Sequence, residues 1–433
     1  MTGTNVSWLP TAIPTPRQLD YQSWELGLFL HFGIRTFYEG HIDLDRKPMP
    51  PAGFNPAALD CNQWAETASR AGMRYMVLTA KHHDGFANWP SAYTDYSVAS
   101  SPWKGGKGNV VREYVDACRK YDLKCGLYYS PADVACPAYS DAKAYDDYFI
   151  NQIGELLTGY GEIDMLWFDG CGSEGHTYNW PRIIGEIRRM QPRILIFGGA
   201  DPDYGWIGNE SGLAPTPNWN TVNCVPISIQ TQAVDPVRDG RPTWVPSECD
   251  CRMRLNNWFY SEKDEDTVKG LRELLGIYYY SVGRGRNLLI NIGPDRRGRL
   301  PDRDAAALLE FGAEVRRRFS QPVLTLAQFV RTDNAWEHTP PLPGVMMDHI
   351  IAQEDLKAGE HIRRFRVQAF PTHYGNPITV FEGYNVGHKA ICGFPQVCAK
   401  KVRFEVLEAD GPVELTSLGV FDCLCSATGG GPT

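Results

Sequence analysis

The stretch Met165-Leu166-Trp167-Phe168-Asp169-Gly170 decides the predicted fold. An unbroken apolar run of this kind is typical of a strand that is buried on both faces, as in a parallel sheet. Gly170 favours a turn directly after the strand. We therefore expect Asp169 to lie where a buried strand ends, which is where an α/β barrel carries its chemistry. The alternative is that Asp169 only caps the following turn or helix.

Strand-like and helix-like segments alternate on both sides of this stretch, over roughly 300 residues. The predicted strands are 27–33, 75–80, 125–130, 165–168, 194–199, 244–248 and 287–292. The predicted helices are 62–71, 110–121, 144–158, 181–190, 266–282 and 302–319. This alternation predicts an α/β fold, a complete or slightly irregular (β/α) TIM-like barrel in residues 1–320, with a doubly wound open sheet as the alternative. Residues 201–241 are rich in Pro, Asn and Gly, and we expect long loops there at the catalytic face.

The sequence pattern changes after about residue 321, where short β-type runs replace the helical periodicity. Turn residues interrupt runs such as 365–370, 378–381 and 402–407, which predicts an antiparallel β-sandwich domain in residues 321–433. This domain could bind carbohydrate or support the barrel. The sequence shows no obvious exposed aromatic platform in it, which favours the supporting role.

Composition and charge narrow the classes of function. Hydrophobic residues make up 43% of the 433 residues, and the formal net charge is −8. This charge argues against nonspecific binding to nucleic acid or to an anionic membrane. The first residues do not resemble a secretory signal, which predicts a cytoplasmic protein, or a secreted protein whose signal has been removed. The 12 cysteines have no zinc-ribbon spacing, and the oligomeric state stays open.

Polar and aromatic residues follow the predicted strands directly. In a barrel, the carboxyl ends of all strands lie on one face, so these residues would come together there. They are His31, His82, His83, Asp84, Tyr128, Asp169, Glu210 and Glu248, with Trp89, Trp206 and Trp258 close to them in the sequence. Such a set fits a metal hydrolase, a glycoside hydrolase with two carboxylates, or a protein that binds without turnover. A metal site is disfavoured because the neighbours His82 and His83 would point to opposite faces of a regular strand. We expect no metal and no cofactor.

Several motifs carry a resemblance to a known family. They are Phe29-Leu30-His31-Phe32-Gly33, the run from Leu78 to Phe86, Tyr93-Thr94-Asp95-Tyr96-Ser97, Gly126-Leu127-Tyr128-Tyr129-Ser130, Leu166-Trp167-Phe168-Asp169-Gly170 and the run from Asn287 to Pro294. Together they resemble the α-L-fucosidases of glycoside hydrolase family 29 over most of residues 20–320. The resemblance implies a retaining hydrolase that acts on fucosylated oligosaccharides or glycoconjugates.

The resemblance also implies roles for the two acids of a retaining mechanism. Asp169 matches the nucleophile, which would form a covalent fucosyl ester. The run Trp206-Ile207-Gly208-Asn209-Glu210 matches a branch motif, so that Glu210 is the expected acid/base. Glu248 is the alternative acid/base. It could instead contact the branching galactose of the glycan, or form an ion pair with Arg252 or Arg254 at the barrel mouth.

Further positions match the fucose pocket of the family. His31, His82, His83 and Tyr128 would bind the ring hydroxyls, and Trp89, Trp206, Trp258 and Glu248 complete the predicted substrate-binding set. Glu39 keeps an acid that many relatives have after the first strand, but Gly40 stands where they have tryptophan, and His41 could compensate.

The C-terminal motifs, such as Gly383-Tyr384-Asn385-Val386-Gly387-His388-Lys389, resemble a branch that includes plant enzymes. This branch cleaves α-1,3 and α-1,4 fucosyl linkages in Lewis-type glycans. A broad-specificity α-L-fucosidase and a non-catalytic fucose-binding protein are the alternatives.

Overall fold

The structure is a computed structural model that describes residues 11–39, 48–133, 135–199, 202–222, 242–371 and 375–424, and the backbone of 224–226 and 234–236. The α-helices of the described residues are α1 (Pro16–Trp24), α2 (Cys61–Ala71), α3 (Val110–Lys120), α4 (Ala142–Gly159), α5 (Trp180–Met190), α6 (Leu271–Tyr280) and α7 (Asp302–Phe319). The strands up to α7 are β1 (Leu26–Leu30), β2 (Tyr75–Lys81), β3 (Lys124–Tyr129), β4 (Met165–Trp167), β5 (Leu195–Phe197), β6 (Gly205–Trp206), β7 (Thr221–Val222), β8 (Cys224–Pro226), β9 (Val234–Pro236), β10 (Thr243–Trp244), β11 (Ser247–Arg252) and β12 (Asn287–Asn291).

Eight of these strands form one parallel sheet in the order β5-β4-β3-β2-β1-β12-β11-β6. The two edge strands come close to each other, because Phe197 of β5 makes a parallel bridge with Tyr204, directly before β6. The sheet is therefore a nearly closed TIM-like barrel, which confirms the predicted fold class. The eighth strand, β6, is only two residues long and lies in the segment that the sequence predicted as loops.

Alternate residues of the barrel strands face two different cores. In β4, Leu166 packs in the outer core between strands and helices, whereas Met165 and Trp167 lie in the barrel interior. This period of two continues past the end of the strand. Asp169 therefore faces the barrel axis, next to Trp167 on the side of the carboxyl ends of the strands.

Two predicted elements are wrong in their bounds. The helix predicted from residue 266 begins only at Leu271, because Val268–Gly270 is extended and the Lys269 amide donates to the Met253 carbonyl at 2.9 Å. The strand predicted for 244–248 is split around Pro246, and its main part continues to Arg252. A proline cannot donate to the ladder, so it favours an interruption of this kind.

The strands after α7 are β13 (Leu324–Thr325), β14 (Val330–Thr332), β15 (Ala335–His338), β16 (Val345–Glu354), β17 (Ile362–Phe370), β18 (Ile378–Gly383), β19 (Ala390–Ala399), β20 (Lys401–Ala409) and β21 (Leu415–Phe421). They form two antiparallel sheets in the orders β13-β21-β16-β19 and β14-β15-β20-β17-β18. Their inward residues, such as Phe365, Phe404 and Ile350, form a hydrophobic core separate from those of the barrel.

Polar contacts connect this sandwich to the barrel. Glu25, which precedes β1, accepts hydrogen bonds from His388 at 2.9 Å and from Lys389 at 2.5 Å. The Ile391 amide donates to the Gly283 carbonyl at 3.0 Å, so that the backbones of the two parts are also joined. Among the helices of the described residues, none combines the length and the apolar character that crossing a bilayer requires.

Candidate active site

A cavity of about 220 Å³ opens at the carboxyl ends of the barrel strands. Its lining combines acids, imidazoles and aromatic rings: Phe29, His31, His82, His83, Tyr128, Trp167, Asp169, Cys171, Glu210, Asp250 and Trp258. The structure thus brings seven of the predicted site residues to one cavity, although they come from six different strand ends and loops. A concave site with a few convergent polar groups is typical of a small-ligand site.

Asp169 lies at the centre of a short hydrogen-bond network. Its Oδ1 accepts from the Cys171 amide at 2.8 Å, and its Oδ2 accepts from the Tyr128 hydroxyl at 2.9 Å. The Nε2 atom of His83 is 3.6 Å from the same Oδ2. Because only 16% of the side chain is exposed, the carboxylate is held in one orientation but still reaches the cavity. This geometry suits a nucleophile that must meet a carbon atom from a fixed direction.

The Tyr128 hydroxyl stays protonated near neutral pH and donates a hydrogen bond to Asp169. Burial raises its pKa well above the ordinary value, and the charge of Asp169 raises the pKa further. The ring of Tyr128 stacks on Trp167, with centroids 5.5 Å apart, and lies parallel to His82 at 5.4 Å. These contacts fix the hydroxyl and thereby the carboxylate that it binds.

The imidazoles of the cavity are neutral hydrogen-bonding groups. Burial lowers the pKa of His31 to about 3, and it also lowers the pKa of His82 and of His83. The Nδ1 atom of His31 is 2.7 Å from Asn291 Oδ1, an acceptor, so that this nitrogen carries the proton. His83 Nδ1 is 2.5 Å from Ser130 Oγ, whose own proton goes to the Ala132 carbonyl. In both rings Nε2 is therefore an acceptor.

His82 and His83 both line the cavity, which contradicts the expectation that neighbouring residues point to opposite faces. The reason is that β2 ends at Lys81, and a tight turn follows in which the Gly85 amide donates to the His82 carbonyl at 3.0 Å. Gly85 has φ +85°, and a Cβ atom there would lie 2.2 Å from Asp133 Oδ1. A glycine is therefore required for the turn that presents both rings.

Glu210 faces the same cavity from the loop after β6. Its side chain is 43% exposed, and Oε2 is 3.8 Å from Nη1 of Arg252. Asn209 shapes this loop, since its Oδ1 accepts from the Ser211 amide at 3.0 Å and its amide donates to the Leu213 carbonyl at 2.9 Å. An acid that reaches both the cavity and solvent can exchange protons with bound ligand and with water.

Asp250 is a cavity residue that the sequence analysis missed. Its Oδ1 accepts from Trp206 Nε1 at 2.7 Å. Burial raises the pKa of this carboxyl well above its ordinary value, and the nearby Glu248 and Glu210 raise it further. The period-two alternation of side chains along β11 could have identified Asp250. Cys249 and Cys251 pack in the outer core, so Asp250 between them faces inward. Trp206 lies behind Asp250 and is not part of the cavity lining.

Glu248 does not reach the cavity and lies fully buried in the barrel interior. Its Oε2 accepts from the hydroxyls of Tyr21 at 3.0 Å and Tyr75 at 2.7 Å, and its Oε1 accepts from Trp167 Nε1 at 2.9 Å. Burial raises its pKa to about 7. The structure therefore contradicts the alternatives that placed Glu248 at the barrel mouth as the acid/base, as a sugar contact or as a partner of Arg252 or Arg254.

Trp89 is also absent from the cavity. It is buried in the outer core, and its indole nitrogen donates to Glu155 of α4 at 2.8 Å. The prediction that Trp89 extends the sugar pocket is contradicted because its ring faces the helix layer and not the barrel axis.

Glu39 lies in a neighbouring depression of about 490 Å³ that shares His82 and Trp258 with the cavity. The hydroxyl of Ser261 donates to its carboxylate, which lowers the pKa of Glu39, and Arg296 is 3.3 Å away. Gly40 and His41, on which the expected difference from relatives depends, lie outside the described residues.

Comparison with known proteins gives consistent results over nearly the whole chain. A family model described as Alpha-L-fucosidase matches residues 49–317. The chain is 35% identical over 453 residues to putative alpha-L-fucosidase 1 of Oryza sativa subsp. japonica, covering 96% of this chain and 86% of that protein. It is 37% identical over 446 residues to alpha-L-fucosidase 1 of Arabidopsis thaliana, covering 94% and 87%.

Solved structures show the same similarity. The crystal structure of a putative alpha-L-fucosidase from Bacteroides thetaiotaomicron has a TM-score of 0.85 at 33% identity, covering 96% of this chain and 99% of that chain. That of a glycoside hydrolase 29 family member from an unknown rumen bacterium has a TM-score of 0.85 at 34% identity, covering 96% and 78%.

Proposed function

Because this chain belongs to the α-L-fucosidase family, glycoside hydrolase family 29, we propose that it releases terminal fucose in two steps through a fucosyl ester of Asp169. The protein is an α-L-fucosidase, and retention of configuration is a trait of its family. The observation that carries the proposal is the position of Asp169, which is hydrogen-bonded by Tyr128 and Cys171 in a cavity that Glu210 also faces.

In the first step a carboxylate oxygen of Asp169 attacks the anomeric carbon, and the bond from that carbon to the glycosidic oxygen breaks. Glu210 gives its proton to the leaving oxygen, so that the rest of the glycan departs as an alcohol. In the second step a water molecule attacks the same carbon and gives a proton back to Glu210. Fucose leaves, and the Asp169 carboxylate is restored.

We assign the acid/base role to Glu210 and not to Glu248 on the basis of access. Glu210 is partly exposed at the rim of the cavity, where a leaving sugar and water can both reach it. Glu248 is buried, and its two oxygens already accept three hydrogen bonds from the barrel interior. A group that is occupied in this way cannot contact the glycosidic oxygen.

The remaining cavity residues would bind the sugar. The accepting Nε2 atoms of His31 and His83 suit the hydroxyl groups of a pyranose, and His82 and Tyr128 add further polar atoms. The ring of Trp258 lies 5.0 Å from that of His31 and offers an apolar surface. We propose that Glu39, which lines the neighbouring depression, also contacts the substrate.

For the linkage, we propose α-1,3- and α-1,4-linked fucose in branched, Lewis-type glycans. Support comes from the C-terminal motifs and from the two plant relatives, which match across both the barrel and the sandwich. A panel of fucosylated oligosaccharides tests this part. Cleavage of Lewis-type trisaccharides with 2′-fucosyllactose left intact is the expected result, and the reverse pattern would contradict it.

A mechanism-based probe tests the ester. Incubation with a 2-deoxy-2-fluoro-fucosyl fluoride should leave one fluorofucosyl group on the peptide that contains Asp169, as detected by mass spectrometry. An adduct on a different residue would refute the role of Asp169.

Two further proposals concern the domain organisation and the compartment. We propose that residues 1–320 and 321–433 are separate domains, supported by their separate hydrophobic cores. We also propose the cytoplasm as the compartment, with secretion after removal of a signal as the alternative. Support for the cytoplasm comes from the ten cysteines of the described residues, which are free thiols and mostly buried. Thiols stay reduced in the cytoplasm.

A further inference from the structure

A second groove, of about 490 Å³, lies where the barrel meets the sandwich. It is lined by the end of α6 and the following loop on one side, and by residues of β18, β19 and the segment between them on the other. The loop from α6 leads into the first residue of β12, so this groove lies at the amino ends of the barrel strands. The active-site cavity lies at their carboxyl ends, and the two sites are therefore on opposite faces.

Two exposed aromatic rings line this groove. Tyr280 and Tyr384 are each 49% exposed, and they come from the barrel and the sandwich respectively. Among the described residues only one other tyrosine, phenylalanine or tryptophan, Tyr93, belongs to the exposed large hydrophobic side chains. Exposed aromatic rings are costly in water, and their concentration on one groove indicates a surface that meets a ligand.

The Tyr280 ring is held in place by its neighbours. The guanidinium of Arg284 lies 4.3 Å from its ring centroid, and the Tyr280 carbonyl accepts from the Ala214 amide at 2.7 Å. The groove itself is firm, because the Ile391 amide bonds to the Gly283 carbonyl across the junction. A rigid aromatic surface loses little conformational entropy when a ligand binds.

The polar groups of the groove fit an uncharged ligand that is rich in hydroxyl groups. Arg284 and Glu382 bring one charge of each sign, and Glu382 is also neutralised by Arg364 at 2.6 Å. The amide of Asn385 is half-buried and makes no hydrogen bond to any other described residue. An amide of this kind can both donate to and accept from a neighbouring pair of hydroxyls.

We propose that this groove is a second binding site for a neutral oligosaccharide chain, in which Tyr280 and Tyr384 pack against sugar rings and Asn385 binds their hydroxyls. The site holds the glycan without cleaving it, because its lining contains no pair of acids. Binding there would keep the enzyme on a branched or multivalent glycan between successive cleavages. The proposal does not depend on the linkage that the active site prefers.

The test uses the full chain with Asp169→Asn, so that the probe is not consumed. The probe is a Lewis-type fucosylated pentasaccharide, titrated by calorimetry and by saturation-transfer NMR in the presence of saturating L-fucose, which fills the active-site cavity. We expect binding that persists under fucose. Adding Tyr384→Ala should weaken that binding roughly tenfold, the loss expected when one aromatic contact is removed.

Tyr93→Ala is the matched control, because it removes an equally exposed tyrosine outside the groove. It should leave the affinity for the pentasaccharide unchanged. Tyr384 makes no side-chain hydrogen bond to any other described residue, so its replacement should also preserve the melting temperature. In the active enzyme, which retains Asp169, Tyr384→Ala should leave kcat/KM for an aryl fucoside unchanged. It should slow the release of fucose from a glycan-coated surface.

Complete displacement of the pentasaccharide by fucose would overturn the proposal, as would equal affinity in the Tyr384→Ala and Tyr93→Ala proteins. A dimer that dissociates on Tyr384→Ala, seen by sedimentation equilibrium, would also overturn it, since the groove would then bind a second copy of the chain. Failure of the protein to hydrolyse any fucoside would refute the proposed function but would leave the groove result standing.

Discussion

Glu248→Gln should change how the stability of the protein depends on pH. In the folded state the pKa of Glu248 is about 7, whereas the ordinary value is 4.5. Below pH 4.5 the carboxyl is protonated in both the folded and the unfolded state and does not affect their balance. Between pH 4.5 and 7 the unfolded state ionises while the folded state keeps its proton, so the stability that is present at low pH is lost as pH rises.

The size of this loss follows from the interval between the two values. Each pH unit costs about 1.4 kcal/mol of unfolding free energy, and the whole interval therefore costs about 3 kcal/mol. Glutamine has almost the same shape and carries no titrating group. Its carbonyl can accept from Trp167 Nε1, and its amide can donate to the hydroxyl oxygens of Tyr21 and Tyr75. The hydroxyl protons of Tyr21 and Tyr75 then lose their acceptor, so we expect a loss of stability that does not vary with pH in addition to the pH-dependent difference.

The assay is urea unfolding of wild type and Glu248→Gln at intervals from about pH 4 to about pH 9. The unfolding free energy of the variant minus that of wild type should increase by about 3 kcal/mol from the acidic to the alkaline end of this range. Glu66→Gln, on the exposed side of α2, controls for the loss of one carboxylate. A difference between wild type and Glu248→Gln that stays constant with pH would refute the reasoning. Selective loss of glycan turnover in Glu248→Gln, with Glu210→Ala unaffected, would show that Glu248 is the acid/base.

The remaining predictions concern the active-site cavity. Glu210→Ala should slow fucosylated oligosaccharides by about 10²–10⁴-fold but aryl fucosides much less, because a phenol needs little protonation to leave; equal losses on both substrates would contradict its role. Asp169→Ala should abolish turnover until azide or formate is added as a small nucleophile, and turnover without either would exclude Asp169 as nucleophile. Tyr128→Phe removes a hydrogen bond to a charged group, worth about 1.5–3 kcal/mol, so kcat/KM for an aryl fucoside should fall roughly 10- to 150-fold, and a change below twofold would count against the contact. Asp250→Asn should stay within a few-fold of wild-type kcat/KM, because the asparagine carbonyl can still accept from Trp206 Nε1, whereas Asp250→Ala should lose more by releasing Trp206; equal losses in the two variants would contradict this role.

The sequence predicted the barrel and the position of Asp169 because both depend on local periodicity. Met165, Trp167 and Asp169 share one face of an extended segment, and this is visible in the order of the residues alone. The same reasoning could have found Asp250. It was missed because the strand predicted for 244–248 ended before residue 250, whereas β11 continues to Arg252.

The errors arose where tertiary structure decides. Trp89 and Glu248 are close in the sequence to predicted strand ends, which placed them in the predicted site. Only the packed structure shows that Trp89 is hydrogen-bonded to Glu155 and that Glu248 is enclosed by two tyrosines and Trp167. The two-residue strand β6 has no sequence signal of its own. Likewise, no exposed aromatic platform is visible in residues 321–433 alone, because one of its two rings, Tyr280, comes from the barrel.

The electrostatics of the barrel axis connect these residues to the chemistry. Burial lowers the pKa values of His31 and His82, so that both imidazoles are uncharged near neutral pH, and it raises the pKa of Asp250. The cavity wall therefore offers no positive charge from its imidazoles. In contrast, Asp169 receives two hydrogen bonds that stabilise its carboxylate. Positive charge that develops on the sugar ring as the glycosidic bond breaks would thus face the localised negative charge of Asp169, beside neutral imidazoles and in a partly buried site where water screens the attraction less than in bulk.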